Sequence, residues 1–442
     1  MKPAVSVILP SLNVKSYIGE CINSVLKQTL KELEIICIDA GSTDGTKEIL
    51  QKYADIDSRV KLLHSEIKSY GYQLNMGLDV AKGKYIGIVE TDDFVVSDMY
   101  ETLYNCAEKE NVDYVKADYK SFFTLLSGER LFSEEHLFQS KNDYETVVKP
   151  QNIIDVLERD HSIWKGIYNK DFLTSNSIRF HETPGAAFQD IGFSMQVMYH
   201  AKRAVYLQKC CYCYCMDRDG ASSNTKNVLK YSFQEFRWLL EENVLSNHLT
   251  ERYAKGFYRR MSYSFLRQYV KISQMNNYTK LNEWDEYYDW FKEKLNKAIH
   301  QGILSKDDYS EETWFLLSSL LESSNNFIEY LKNRDKRVSL NKDLFLRGIQ
   351  NKQIIIFGCG KYGRDLYLLL EKKCFSIVAV CDNDNKKWGI KYGEHVIESP
   401  MNCIRKYPNA CFAIANQKHA KDIKEQLINV NVSDENIFIY KK

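Results

Sequence analysis

The first ninety residues alternate short apolar runs with segments in which apolar residues recur every three or four positions. Continuous runs are typical of strands buried on both faces, and the recurring spacing is typical of helices with one buried face. The runs predict strands at 4–10, 33–39, 60–63 and 84–89. The spacing predicts helices at 16–30, from the 40–46 turn to about 53, and at 73–81. Strands that alternate with helices predict an α/β fold with a mostly parallel sheet.

Acidic residues stand where two of these predicted strands end. Asp39 closes the second strand, and Glu90, Asp92 and Asp93 follow the fourth. Ligands of open parallel sheets bind at the carboxyl ends of the strands, so we expect these side chains at one edge of the sheet. Mg²⁺ and Mn²⁺ prefer oxygen ligands, and Mg²⁺ commonly bridges carboxylates to substrate phosphates. Taken alone, 90–93 is better explained as an acidic, solvated turn, and the neighbouring motifs decide between the two.

The rest of the chain changes pattern twice. Residues 94–225 mix short helices, turns and strands without a clear repeat, and helical spacing dominates 226–345. Strand-like apolar runs return at 353–357 and 376–381. We therefore predict three parts: an α/β domain at 1–225, a helical linker region at 226–345 and a small Rossmann-like α/β domain at 346–442.

A glycine-rich turn joins the first strand of the small domain to a helix. Gly358, Gly360 and Gly363 form the pattern GxGxxG, and Asp382 ends the next strand. This pattern is typical of dinucleotide sites, where glycines let a phosphate approach the helix N-terminus and the acid binds a ribose hydroxyl. The same turn serves any tight strand–turn–helix unit. A second nucleotide site and a purely structural turn both stay open.

Composition and charge exclude several classes of protein. The net charge of +1 over 442 residues gives no basis for binding nucleic acid. No stretch approaches the roughly 20 apolar residues of a membrane span, and the N-terminus has no signal-peptide pattern. Twelve cysteines without a secretion signal indicate reduced thiols, so we expect a cytoplasmic protein. Cys211, Cys213 and Cys215 alternate as on one strand face without a second ligand pair nearby, which disfavours zinc.

The order of motifs in the first half resembles the family 2 glycosyltransferases, which have the GT-A (nucleotide-diphospho-sugar transferase) fold. The resembling segments are VILPSLN at 7–13, SVLKQT at 24–29, EIICIDAGSTDG at 34–45, NMGL at 75–78, AKGKYI at 81–86 and ETDD at 90–93. A more variable half follows, with matches at 164–168, 178–180 and 189–190. No single segment is specific, but the ordered series over about 4–223 is.

The resemblance implies inverting transfer of a sugar from a nucleotide-sugar donor, expected to be a UDP-sugar, to a hydroxyl of a surface-glycan or lipid-linked saccharide acceptor. It implies a Mg²⁺ or Mn²⁺ ion bound by Asp92 with Asp93, where a Lewis acid stabilises the departing diphosphate. Asp190 matches the family's general base for the acceptor hydroxyl. The residues that match donor-binding positions are Pro10, Ser11, Asn13, Asp39, Asn75, Glu90 and Asp92. A lipid-linked acceptor would bring the protein to the inner face of the membrane; the oligomeric state stays open.

Three positions depart from the family pattern. Glu90 replaces the first aspartate of the metal motif, Leu74 stands where many relatives carry arginine, and Gln189 replaces the glutamate before Asp190. None of these changes removes the expected chemistry, because Glu also binds hard cations and Asp190 is retained. The donor specificity is the property that they leave open.

Several of these residues have a simpler structural role open to them. Asp39 could cap the turn that follows it, Asp190 could be a helix N-cap, and Trp164 is more simply a core residue than an acceptor-stacking one. The whole chain could be a non-catalytic nucleotide-sugar-binding or scaffold protein. It could also be bifunctional, with a cofactor such as NAD bound at 346–442.

Overall fold

The computed structural model describes residues 2–218, 225–242, 245 and 249–441. The end of the stretch that carries the resemblance, 219–223, lies outside the described residues. The chain divides into two units, one of residues 1–120 with 134–329 and one of residues 121–133 with 330–442. The three-part division expected from the sequence stays a prediction.

Nine strands of the described residues form the larger sheet. They are β1 (Val5–Ser11), β2 (Leu33–Asp39), β3 (Val60–His64), β4 (Tyr85–Ile88), β5 (Phe94–Val95), β6 (Tyr114–Thr124), β7 (Arg130–Glu135), β8 (Gly166–Asn169) and β9 (Ala204–Cys215). Their order is β3-β2-β1-β4-β8-β6-β9-β5, and β7 pairs with β6. The pairs β1–β2, β2–β3 and β1–β4 are parallel, whereas β8 pairs antiparallel with β4 and β6.

Helices flank the parallel strands as the apolar spacing predicts. They are α1 (Lys15–Leu26), α2 (Thr46–Ile56), α3 (Tyr70–Val80), α4 (Met99–Glu110), α5 (Ile154–Arg159), α6 (Lys170–Ser175) and α7 (Gln189–His200). Every residue of β1 and β2 is buried, which explains their continuous apolar runs. The buried face of α1 is Ile18, Cys21, Ile22 and Val25, the stripe visible in the sequence. The predicted α/β class is confirmed, and the antiparallel strands come from the region that had no clear pattern.

A helical segment follows the sheet. Its helices are α8 (Val228–Glu241), α9 (Glu251–Met275), α10 (Asp285–His300), α11 (Glu311–Glu322) and α12 (Ser324–Gly348). Phenylalanines join three of them: Phe236 meets Phe257 edge-on at 5.6 Å between ring centres, and Phe265 stacks on Phe291 at 4.7 Å. No helix within the described ranges is long and apolar enough to span a bilayer.

The second sheet is built from β10 (Ile354–Phe357), β11 (Ile377–Cys381), β12 (Lys391–Tyr392), β13 (His395–Glu398), β14 (Cys411–Ile414) and β15 (Ile437–Ile439). The order is β12-β13-β11-β10-β14-β15; the pairs among the last five strands are parallel, and β12 pairs antiparallel with β13. Its helices are α13 (Lys361–Lys372), α14 (Pro400–Lys406) and α15 (Ala420–Asn429). Ile354 and Ile356 enter one apolar core, and Ile355 and Phe357 the other, because side chains alternate along a strand.

Candidate active site

The loops after β1 and β2 interlock at the carboxyl edge of the sheet. Asn13, in the left-handed region at φ 53°, donates its N–H to Ser42 Oγ (2.9 Å). Its Oδ1 accepts from the N–H of Thr43 (2.9 Å). Asp44 Oδ1 accepts from the N–H of Thr46 (2.9 Å), where α2 begins. The expected donor-binding residue Asn13 is therefore part of a fixed two-loop wall.

Asp39 lies at the base of this wall, directly opposite Ser11 in the β1–β2 register. Its buried carboxylate accepts from the N–H groups of Gly41 and Ser42, both at 3.1 Å. Asp39 thus caps the turn, one of the two roles left open by the sequence; its contact with a donor stays a prediction. The backbone oxygen of Pro10 accepts from Thr91 Oγ1 at 2.9 Å, which joins the wall to the acidic segment.

Three carboxylates converge beside this wall. Tyr70 OH, at the start of α3, donates to Glu90 Oε1. Burial, together with the nearby charges of Asp92 and Asp190, raises the pKa of Glu90 to about 8. Asp92 and Asp190 are about one hundred residues apart in the chain, and the fold brings both close enough for their charges to act on Glu90.

Asp93 is held by β9. Its carboxylate accepts from Tyr212 OH and from the N–H of Cys215, both at 2.7 Å. Tyr212 OH also accepts from the N–H of Glu90 at 3.0 Å. Burial and the neighbouring Asp92 raise the pKa of Asp93 well above its usual range. The segment 90–93 is therefore a fixed, largely buried loop and not an acidic, solvated turn.

Asp92 pairs with an arginine that the sequence did not single out. Arg218 Nη1 lies 3.2 Å from Asp92 Oδ2. Within the described ranges this is the only ion pair made by Glu90, Asp92, Asp93 or Asp190. The same ranges hold no group of three side chains arranged to bind a metal.

Asp190 lies in the first turn of α7, where the helix N-terminus favours a negative charge. The N-cap residue is Phe188, so the alternative that Asp190 caps the helix is wrong. Burial raises the pKa of Asp190, and the buried Arg260 of α9 opposes that shift. Gln189, beside it, donates to Thr183 Oγ1 at 2.8 Å and accepts from the N–H of Ala187 at 2.7 Å.

Asn75 and Trp164 have packing roles in the structure. The Asn75 amide donates to Phe180 O at 3.0 Å and to Glu182 Oε1 at 2.8 Å, so it fixes the segment before α7. Its contact with a donor stays a prediction. Trp164 is 9% exposed and stacks on Tyr212 at 4.2 Å between ring centres, which agrees with packing.

The residues that the sequence did not reveal are Tyr70, Tyr212, Arg218 and Arg260. Each is an ordinary aromatic or basic residue in a segment without a motif, and its role comes from a contact with an acid or, for Arg260, from the effect of its charge on Asp190. One indirect sign of Arg218 was visible in the sequence. Leu74 stands where many relatives carry an arginine, which implies that another cationic residue faces the site.

The second unit has its own pocket at the carboxyl ends of its strands. A cavity of about 270 Å³ is lined by Gly358, Asp382, Asn416 and His419, among others. Asp382 accepts from the N–H of Cys359 at 3.0 Å and from Lys387 Nζ at 3.0 Å. Gly358 has φ +106°.

Gly363 explains part of the glycine pattern. A Cβ at Gly363 would lie 1.9 Å from the backbone oxygen of Gly358, whereas a Cβ at Gly360 would meet nothing within 4 Å. The last glycine is therefore required by the turn itself, and Gly360 is free of that constraint.

Comparison with known proteins agrees with this architecture. Residues 6–159 match the family described as "Glycosyl transferase family 2", and residues 350–438 match "C2185-like, N-terminal". The chain is 30% identical to uncharacterized glycosyltransferase EpsJ of Bacillus subtilis over 241 residues, 53% of this chain and 67% of that protein. It is 39% identical to glycosyltransferase GlyG of Streptococcus pneumoniae over 147 residues, 31% of this chain and 49% of that protein. The structure of S. aureus TarS 1-349 in complex with UDP-GlcNAc matches with a TM-score of 0.55 at 19% identity, covering 75% of this chain and 91% of that one.

The chain belongs to the family 2 glycosyltransferases, and it is a glycosyltransferase with the GT-A fold. The family expected from the motif order is confirmed. The chain covers from about half to two thirds of the length of EpsJ and GlyG. The substrates and the reaction of this chain are therefore matters of proposal.

Proposed function

We propose that this enzyme transfers a sugar, with inversion, from a UDP-sugar to a hydroxyl of a surface-glycan or lipid-linked saccharide. The observation that carries the proposal is the convergence of Glu90, Asp92 and Asp190 beside the wall formed by Asn13 and Asp39. A donor in this position would meet Glu90 and Asp92 from the segment after β4 and Asp190 from α7. That division of roles is what an inverting displacement needs.

We propose a divalent cation at these carboxylates, with two protein ligands because no group of three is arranged to bind a metal in the described residues. Burial and the neighbouring Asp92 raise the pKa values of Glu90 and Asp93, so a cation bound beside them would displace the protons that these acids retain. We propose that Asp92 and Asp93 hold Mg²⁺ or Mn²⁺, with Glu90 beside them. Two protein carboxylates are enough when substrate phosphates and water complete the shell. When bound, the ion would supply Lewis-acid stabilisation of the departing diphosphate.

The remaining steps are assigned to side chains of this chain. Asp39, Asn13 and the backbone around Ser11 and Pro10 would bind the base and ribose of the donor. Arg218 is the cation that would face the diphosphate in place of the arginine missing at Leu74. Asp190 would accept the proton of the acceptor hydroxyl, and its raised pKa favours that role because a stronger base accepts a proton more readily.

Names of similar proteins support the donor and acceptor classes. TarS is described in complex with UDP-GlcNAc, which supports a UDP-sugar as the donor of this chain. A further relative, 24% identical over 301 residues, is a poly(ribitol-phosphate) beta-glucosyltransferase, which supports a surface-polymer acceptor. A lipid-linked intermediate of such a polymer would place the enzyme at the cytoplasmic face of the membrane.

The test is release of nucleoside diphosphate from a panel of UDP-, GDP- and dTDP-sugars, with and without Mn²⁺. We expect metal-dependent release from one UDP-sugar, loss of that release in Asp92→Asn, and no change in the control Asp55→Asn on the exposed face of α2. Asp190→Asn should still bind the donor but fail to transfer. Release that is independent of metal, or unchanged in Asp92→Asn, contradicts the proposal. Donor binding without any turnover would favour the non-catalytic, nucleotide-sugar-binding alternative.

For the second unit we propose a nucleotide site at Gly358, Gly360, Gly363 and Asp382. The cavity beside Asp382 and the open space at Gly360 support it. Titration calorimetry of the full chain with NAD and with UDP, in wild type and Asp382→Ala, tests it. Heat that is lost in Asp382→Ala supports the site; no binding of either compound leaves only the structural role of the glycine turn.

A further inference from the structure

The first unit contains a cavity of about 450 Å³ that none of the acids of the carboxylate cluster lines. Its wall includes His181 and Thr183 from the loop before α7, Lys230 and Arg237 from α8, and Glu286 and Tyr287 from α10. This volume is in the range of small-molecule sites. None of the residues matched to the family motifs lines it.

The cavity is connected to Asp190 through α7. Gln189, next to Asp190, donates to Thr183 Oγ1 at 2.8 Å, and Thr183 lines the cavity. Behind the cavity wall, Glu235 Oε1 lies 2.9 Å from His181 Nδ1. A Cβ at Gly192, in the first turns of α7, would lie 2.4 Å from Glu235 Oε2. The structure that positions the base therefore also positions one wall of the cavity.

The His181 wall is rigid. The His181 ring stacks on Trp238 with 4.5 Å between centres and 8° between planes. Glu235 is fully buried, so it holds the imidazole from behind without reaching the solvent. A histidine fixed at Nδ1 presents Nε2 in a constant direction, which suits recognition of a hydroxyl group.

Three polar side chains of the cavity are available to a ligand. Among the parts of the chain that the structure describes, the side chains of Lys230, Gln234 and Glu286 make no hydrogen bond or ion pair. The lining has two cationic residues, Lys230 and Arg237, and two acidic ones, Glu242 and Glu286, and Arg237 is already paired with Glu241 at 3.1 Å. A polyanion would be repelled by the acids, so balanced charge favours an uncharged ligand with many hydroxyl groups.

Aromatic rings complete the lining. Phe233 and Tyr287 lie 5.0 Å apart between ring centres, and both line the cavity. Flat apolar faces beside amide, carboxylate and guanidinium groups can bury the C–H face of a sugar ring and hydrogen-bond its hydroxyls.

We propose that this cavity binds an uncharged saccharide part of the acceptor, and that the hydrogen bond from Gln189 to Thr183 joins its wall to the residue beside Asp190. The inference rests on the proposed function, because it assigns the acceptor side of that reaction. It adds a substrate class and residues from α8 and α10 that no sequence motif marks.

Binding to an array of oligosaccharides tests the inference without any donor. The array holds uncharged oligosaccharides and their phosphorylated and carboxylated counterparts, and the full chain is applied as wild type, Glu286→Gln, Tyr287→Ala and the control Asp289→Asn. Asp289 is exposed on the same helix and does not line the cavity. We expect wild type and control to retain uncharged members, and the two cavity variants to bind them about tenfold more weakly.

Three results would overturn the inference: retention of charged members only, equal binding by wild type and Glu286→Gln, or no retention by wild type. Glu286→Gln keeps the shape of the side chain, and thermal unfolding would confirm that Tyr287→Ala is folded. Metal-dependent donor turnover by wild type is measured separately. Its failure contradicts the proposed reaction, whereas saccharide binding decides the cavity.

Discussion

Arg218 Nη1 lies 3.2 Å from Asp92 Oδ2, so a basic residue after β9 neutralises the acid that is expected to bind the metal. The two residues are 126 positions apart in the chain (218 minus 92). The pairing gives the cluster one cation in the absence of ligands. In the proposed reaction this guanidinium would contact the diphosphate, because arginine binds phosphate through paired hydrogen bonds.

Replacing Arg218 tests that role. We expect Arg218→Ala to lower kcat/KM for the donor by roughly ten- to a hundredfold, since a charged hydrogen bond to phosphate is lost. Arg405→Ala, at an exposed arginine of α14, is the matched control and should leave kcat/KM unchanged. Steady-state kinetics with the active UDP-sugar provide the measurement. An Arg218→Ala enzyme with wild-type kinetics would exclude a contact with the diphosphate.

Tyr212 should support the acidic loop. Tyr212→Phe removes the hydrogen bond to Asp93 and the acceptor for the N–H of Glu90. Leaving buried polar groups without partners costs about 1–3 kcal/mol, so the melting temperature should fall and Mn²⁺ affinity with it. Calorimetry and Mn²⁺ titration measure the two effects. Tyr214→Phe, two residues along the same strand, should behave as wild type, because the described residues make no hydrogen bond to the Tyr214 hydroxyl.

Stability should depend on pH through Glu235. Burial raises its pKa from an ordinary value near 4.5 to about 7, against the opposing hydrogen bond from His181 and with the charge of Asp190 nearby. Between these pH values the folded protein keeps a proton that the unfolded chain has released. The resulting stability is present below pH 4.5 and is lost as the pH rises through 7.

Thermal unfolding from pH 4.5 to 8 in wild type and Glu235→Gln measures this contribution. The wild-type melting temperature should decrease with pH more steeply than that of Glu235→Gln, because glutamine does not titrate. Parallel curves for the two proteins would show that Glu235 is not protonated in the folded state.

The glycine turn of the second unit allows a comparison of two matched variants, Gly363→Ala and Gly360→Ala. Gly363→Ala would place a Cβ 1.9 Å from the Gly358 oxygen, whereas Gly360→Ala meets open space. Overpacking of this kind costs about 1–3 kcal/mol, so Gly363→Ala should unfold at a lower temperature and Gly360→Ala should not. Differential scanning calorimetry compares them. Equal transitions would mean that the turn shifts without cost.

Much of the first sheet was predictable because its strands are buried on both faces. A continuous apolar run such as that of β2 is compatible with few structures other than a buried strand. The turn after it contains residues suited to positive φ, such as Gly45 at 102°. The region 94–225 was not predictable in the same way. Its strand β9 pairs with β5 and β6, and β8 pairs with β4 and β6, all distant in sequence, and no local pattern encodes such partners.

The sequence by itself determined the family, the order of the motifs that the parallel strands carry, and the acids at the ends of those strands. These properties are local: an apolar run, a glycine turn or an acid after a strand needs only its neighbours in the chain. Only the tertiary structure decided which partners these acids have. Tyr70 and Tyr212 donate hydrogen bonds to Glu90 and Asp93. Arg218 forms an ion pair with Asp92, and His181 forms a hydrogen bond with Glu235. Each of these contacts joins residues at least 20 positions apart, and the free energy of burying a charge depends on such partners and not on spacing.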